Sequence, residues 1–171
     1  MGRYRIVPER SWVEIQARSS VHPIGTRTDG LEGHLDLEML DGGSVNLESP
    51  PRGQLSLRVE RLSSGNPLED RELRRRIDTR RHPRIVGEFT GVQETGTGGR
   101  YRVRGDVTFR GVTRTYEDEM AFVTPDDRSI ELEGEATFDI RDFGMDPPRI
   151  LMLKVQPEVR VTAHVVAERQ D

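Results

Sequence analysis

The groups in this 171-residue chain that could do chemistry are four histidines, several clusters of carboxylates and one run of arginines. His22, His34, His82 and His164 show no metal-ligand spacing, and His22 and His82 each stand before a proline, as at a loop-to-strand junction. With no cysteine, the chain has no thiolate nucleophile, disulfide or Cys-based metal site. No catalytic residue, metal site or cofactor is therefore assigned. An acid–base enzyme would have to draw on His22, Asp70 or Asp118. Glu131, Glu133 and Glu135 alternate with Ile130, Leu132 and Gly134, and so belong to a solvated strand face. Asp118 differs, because it is in phase with Tyr116 and Met120. It either faces inward, where it could bond a ligand's head group, or is turned outward by a bulge.

Arg71, Arg74, Arg75, Arg76, Arg80, Arg81 and Arg84 crowd one short segment. Asn66 suits an N-cap, Pro67 the first helical position and Glu69 the third, a capping-box-like start. Leu73 and Ile77 supply one apolar stripe, so the spacing predicts a short helix over residues 67–78 that docks near a barrel mouth. The arginines opposite the stripe read first as a solvated face balanced by neighbouring acids. The sharper alternative is attraction of an anionic head group or membrane surface, with Arg71 and Arg75 as contacts.

Elsewhere the dominant signal is strict alternation of apolar and polar residues, the period of a half-buried strand. Val13, Ile15 and Ala17 open the series, followed by Leu31 to Leu37, Leu55 to Val59 and Ile85 to Phe89. Tyr101 to Phe109, Tyr116 to Phe122, Ile130 to Ile140 and Val159 to Val165 complete eight strands, with Tyr4 and Ile6 as an extra piece. Asp41-Gly42-Gly43, Gly96 to Gly99, Arg110-Gly111 and Pro125-Asp126-Asp127 separate strands with turn chemistry, which implies antiparallel neighbours. Only 33% of the chain is hydrophobic and 33% is charged, so the scarce apolar set must sit on one face of a sheet that closes around one interior. Residues 1–171 therefore read as a single all-β domain, an antiparallel eight-stranded barrel with one helix.

Gly33, Gly87, Gly105 and Gly134 fall on the face assigned to the interior. Each is explained by strand curvature or by space, and four in phase with small Ala136 and Ala163 favour a hollow interior. The expected lining is Trp12, Ile15, Leu57, Phe89, Val103, Val107, Phe122, Leu132 and Phe138, some of which must pack the closed end. A net charge of −4 argues against nucleic acid as a partner. The opening residues lack the apolar core of a secretory signal and no transmembrane run follows, which predicts a cytoplasmic protein.

The run Gly105-Asp106-Val107-Thr108-Phe109-Arg110-Gly111-Val112-Thr113-Arg114 resembles the G-x-L-T-x-x-G-x-T signature of the bacterial YceI-like family. The layout around it agrees: Trp12 on an opening strand, His22 ahead of the Gly33–Leu35 strand, and a capped helix with Asp70, Leu73 and Asp78. Pro83-x-Ile85 and Phe143-Gly144 follow, so the resemblance spans essentially the whole chain. It implies a lipocalin-like barrel that binds a polyisoprenoid or similar long apolar chain, for transport or storage and without catalysis. The chain departs from the family pattern in the helix, where Glu69-Asp70-Arg71-Glu72-Leu73 stands for Arg-Asp-x-His-Leu, and at Gly87, where a bulky residue is usual. The expected partner is an apolar lipid, with peripheral membrane contact and a homodimer left open. Two other readings compete: an enzyme acting on an apolar substrate in the same cavity, and an anionic-surface module using the Arg-rich helix.

Overall fold

Alternation gives each strand one wet and one dry side, and burying every dry side on a common interior curls the sheet until its edges meet. The computed structural model describes residues 1–147, 149–150 and 153–171. Its strands are β1 (Gly2–Ile6), β2 (Trp12–Ser19), β3 (Pro23–Thr28), β4 (Glu32–Leu37), β5 (Arg52–Arg58), β6 (Arg84–Glu94), β7 (Arg100–Phe109), β8 (Val112–Val123), β9 (Ser129–Asp139), β10 (Arg149–Ile150) and β11 (Leu153–Arg169). The helix α1 (Pro67–Ile77) separates β5 from β6.

Pairing runs β1-β4-β5-β6-β7-β8-β9-β11, and β1 returns to β11 through Tyr4–Arg169 and Ile6–Ala167, closing a ring of eight antiparallel strands. β2 continues the line of β1 along the same edge of β11, after a 3-10 turn at Pro8–Arg10. β3 likewise precedes β4, so each limb of the first long hairpin is one barrel strand with an interruption. The eight-stranded antiparallel barrel read from the sequence is thus the observed fold, and Tyr4 and Ile6 lie on a true strand. β3 escaped the alternation because its inward positions are Ile24, Thr26 and Thr28, only one of them apolar.

One end of the barrel is filled. Leu35, Leu37, Val45, Tyr101, Ile130 and Leu132 are buried there or beside it, and Tyr101 Oη accepts a 3.0 Å bond from the Val45 amide. At the other end β3 pairs with β2 alone and β5 pairs with β4 only as far as Ser56–Glu32. The segment from Leu62 through α1 covers the space between them, tied to β3 by a 2.8 Å bond from the Ser63 amide to Thr26 Oγ1. The helix starts as expected at Asn66, whose Oδ1 accepts from the Leu68 amide at 3.0 Å, and ends on Asp78 in the left-handed conformation. The capping box is not completed: the Asn66 amide donates to Ser64 Oγ at 3.2 Å.

The four in-phase glycines divide. A Cβ at Gly33, where φ is +138°, would fall 1.9 Å from the Gln54 carbonyl oxygen, and one at Gly105 would fall 2.9 Å from that of Glu88. At Gly134 it would press on Met120 at 3.1 Å. These three mark close approach of a neighbouring chain segment. Only at Gly87 would a Cβ meet nothing within 4 Å. Of the two explanations, curvature or space, the open space falls to Gly87 alone of the four.

Candidate functional site

Beneath α1 lies a cavity of about 340 Å³. Val13, Ile15 and Ala17 of β2, Leu55 and Leu57 of β5, and Ile85 and Gly87 of β6 form part of its wall. Ile24 of β3, Val107 and Phe109 of β7, Phe138 of β9, and Val155, Val159, Val161 and Ala163 of β11, with Leu31 and Ile140, add to it. Leu73 and Ile77 of α1, with Leu62, Phe143 and Met145, cover it. The alternation that made these strands also delivers their apolar side chains to one chamber. Its polar lining residues are Thr26, Ser56, Ser64, Glu69 and Asp70, and no Lys, Arg or His is among the described lining residues.

Of the nine side chains expected inside, Ile15, Leu57, Val107 and Phe138 line this cavity. Phe89, Val103, Phe122 and Leu132 pack into the core instead, with Phe122 edge-on to Tyr101 at 5.9 Å between ring centroids. Trp12 lies on the outer face. It stacks on His164 at 5.7 Å, and the Arg27 guanidinium sits 4.3 Å over its ring. The reason is parity: Trp12 is one residue out of phase with Val13 and Ile15, so the pleat turns it away from them.

The expected polar contacts are not at the cavity. Arg71 and Arg75 are exposed on the far face of α1, and Arg75 lies 3.9 Å from Glu72. Asp118 is exposed and outside the lining, although partial desolvation raises its carboxyl above the ordinary value. It stands where β8 has left β9, since their pairing covers only Met120–Val123 against Glu131–Gly134. Beyond that stretch the ring of Tyr116 packs edge-on to Phe138 at 4.6 Å, and its hydroxyl donates to Asp142 Oδ2 at 3.3 Å. Burial, then the Asp142 carboxylate, pushes the Tyr116 phenol up to about 12.

Asp70 does line the cavity, but it is fully engaged. It accepts from the Ser64 amide and Ser64 Oγ, each at 2.8 Å, and from Ser63 Oγ at 3.2 Å. Burial raises its pKa, and these three bonds together outweigh burial and hold it below the ordinary carboxylate value. His22 is exposed in the β2–β3 turn, with a ring nitrogen 3.0 Å from the Pro23 carbonyl. The acid–base candidates are therefore not brought together. Among the described residues no group of His, Asp and Glu is arranged to hold a metal ion. Glu69 is the lining residue that sequence reasoning placed elsewhere. Its signal was its position four before Leu73, on the apolar stripe itself.

A closed antiparallel barrel with an apolar chamber under a covering helix is a small-ligand-binding architecture. The chain belongs to the YceI-like domain family, which matches residues 4–167. It is similar in fold to BcnA of Burkholderia cenocepacia, with a TM-score of 0.76, 14% identity and coverage of 94% of this chain and 98% of that one. A polyisoprenoid binding domain from Saccharophagus degradans, implicated in plant cell wall breakdown, superposes with a TM-score of 0.79 and 12% identity over 99% of this chain and 100% of that one. The Campylobacter jejuni YCEI protein gives 0.65 and 10% over 84% of each. No curated protein matches the chain. No helix among the described residues is long and apolar enough to cross a membrane.

Proposed function

We propose that this protein binds an apolar, isoprenoid-like lipid in the chamber under α1 and carries or stores it without transforming it. The observation that carries this reading is the lining: apolar side chains from seven barrel strands converge on one chamber, and five polar residues stand among its described lining. At about 30 Å³ per methylene-sized group, the share of one liquid water, the chamber takes about eleven such groups. Burying them contributes about 9 kcal/mol at ~0.8 kcal/mol per CH₂, before the costs of association and ordering. A longer chain would leave its remainder at the mouth. The polyisoprenoid binding domain of the same fold supports this ligand class. A catalytic reading has less behind it, because Asp70 is locked by serines while His22 and Asp118 stand away from the chamber.

Native mass spectrometry of the purified protein, followed by organic extraction, should reveal a co-purified lipid or uptake of an added prenol. A protein that stays empty and takes up no apolar compound refutes the proposal.

A further inference from the structure

We propose that Glu69 makes the chamber selective for an apolar chain ending in a hydrogen-bond donor, an alcohol rather than a phosphate; this rests on the lipid-binding reading above. Glu69, Leu73 and Ile77 follow one another at four-residue spacing on α1, and all three line the chamber. An apolar stripe that opens with a glutamate carries a carboxyl group towards the barrel. Glu69 is 7% exposed, yet it makes no hydrogen bond or ion pair with the described residues. Its usual duty at this helix position is lost, since the Asn66 amide is taken by Ser64 Oγ.

The other four polar lining residues each have a partner within the chain. Thr26 Oγ1 accepts from the Ser63 amide, and Ser56 Oγ accepts from Arg84 Nη1 at 2.8 Å. Ser64 and Asp70 bond each other. Among the described residues the buried side-chain polar atom left without a partner is Arg110 Nε, so the Glu69 oxygens reach open space, and a ligand that brings a donor there supplies the partner the chain does not. A phosphate would bring further negative charge beside Glu69 and Asp70, with no cation in the described lining. Arg74, the cation felt by Asp70, is exposed and donates to the Glu60 carbonyl.

Geraniol, geranyl methyl ether and geranyl phosphate share one short chain and differ in the head group. Their affinities can be read by displacement of a fluorescent apolar probe. The wild-type protein should bind the alcohol about tenfold tighter than the ether, and the phosphate more weakly than the ether. In Glu69→Leu the ether should still bind while the alcohol's advantage falls to about twofold or less. Glu69→Gln keeps the shape and an acceptor oxygen, and should retain a preference for the alcohol. If Glu69→Leu does not fold, the wild-type ranking of the three compounds decides the matter. Equal binding of alcohol and ether, a phosphate that matches the alcohol, or an advantage that survives Glu69→Leu overturns this inference alone. Failure of all three to bind overturns the lipid-binding reading with it.

Discussion

Replacing Gly87 by leucine tests whether the chamber is the binding site. A Cβ at this position meets nothing within 4 Å, and the residue lies in the chamber wall. The four carbons of a leucine side chain would occupy about 120 Å³ at ~30 Å³ each, roughly a third of the 340 Å³ available. A ligand that filled the chamber then loses about four methylene-sized contacts, or about 3 kcal/mol, a fall in affinity of at least a hundredfold. Stability should move the other way. Glycine within a strand costs about 0.5–1 kcal/mol relative to alanine, and leucine adds apolar burial in space that is already present. Isothermal titration with geraniol gives the first quantity and urea unfolding the second. Affinity within about twofold of wild type would place the ligand elsewhere. A destabilisation above about 1 kcal/mol would mean that the site is packed and the chamber does not exist as described.

Three shorter predictions follow from the same geometry. Asp70→Asn should cost about 1–2 kcal/mol at neutral pH, because the serine bonds to a carboxylate are weakened. Asp70's folded pKa lies below its unfolded value, so its contribution is present above the unfolded pKa and fades as pH falls through the folded one. Urea unfolding below about pH 4 should therefore show a shallower acid loss in the variant than in wild type, and an unchanged slope would refute the account. Near-ultraviolet titration should show one of the three tyrosines ionising near 12, and Tyr116→Phe should remove that step. Emission from Trp12, the sole tryptophan, should change little when geraniol fills the chamber, since its ring lies outside between His164 and Arg27. A large quench would put Trp12 at the ligand.

Period-two alternation determined the eight barrel strands and the inward parity of Ile15, Leu57, Val107 and Phe138, because side-chain alternation is a local property of the backbone, and the turn residues determined that neighbours run antiparallel. The capping residues around Asn66 and the Leu73–Ile77 stripe likewise determined α1. The same parity, applied strictly, would have turned Trp12 outward. What no single strand could reveal is what stands opposite it. The absent Cβ of Gly33 or Gly105 makes room for a neighbouring carbonyl, whereas that of Gly87 leaves a void, and only the barrel's register separates the two cases. Phe89 and Val103 have the right parity but pack into the core, because a barrel closes at one end only when some inward side chains fill it. Glu69 was legible as a capping residue; its place beside the chamber depended on Ser64 reaching the Asn66 amide first and on α1 docking where β3 and β5 part. Local pattern settles which way a side chain points, and tertiary packing settles whether it meets a void, a backbone or a ligand.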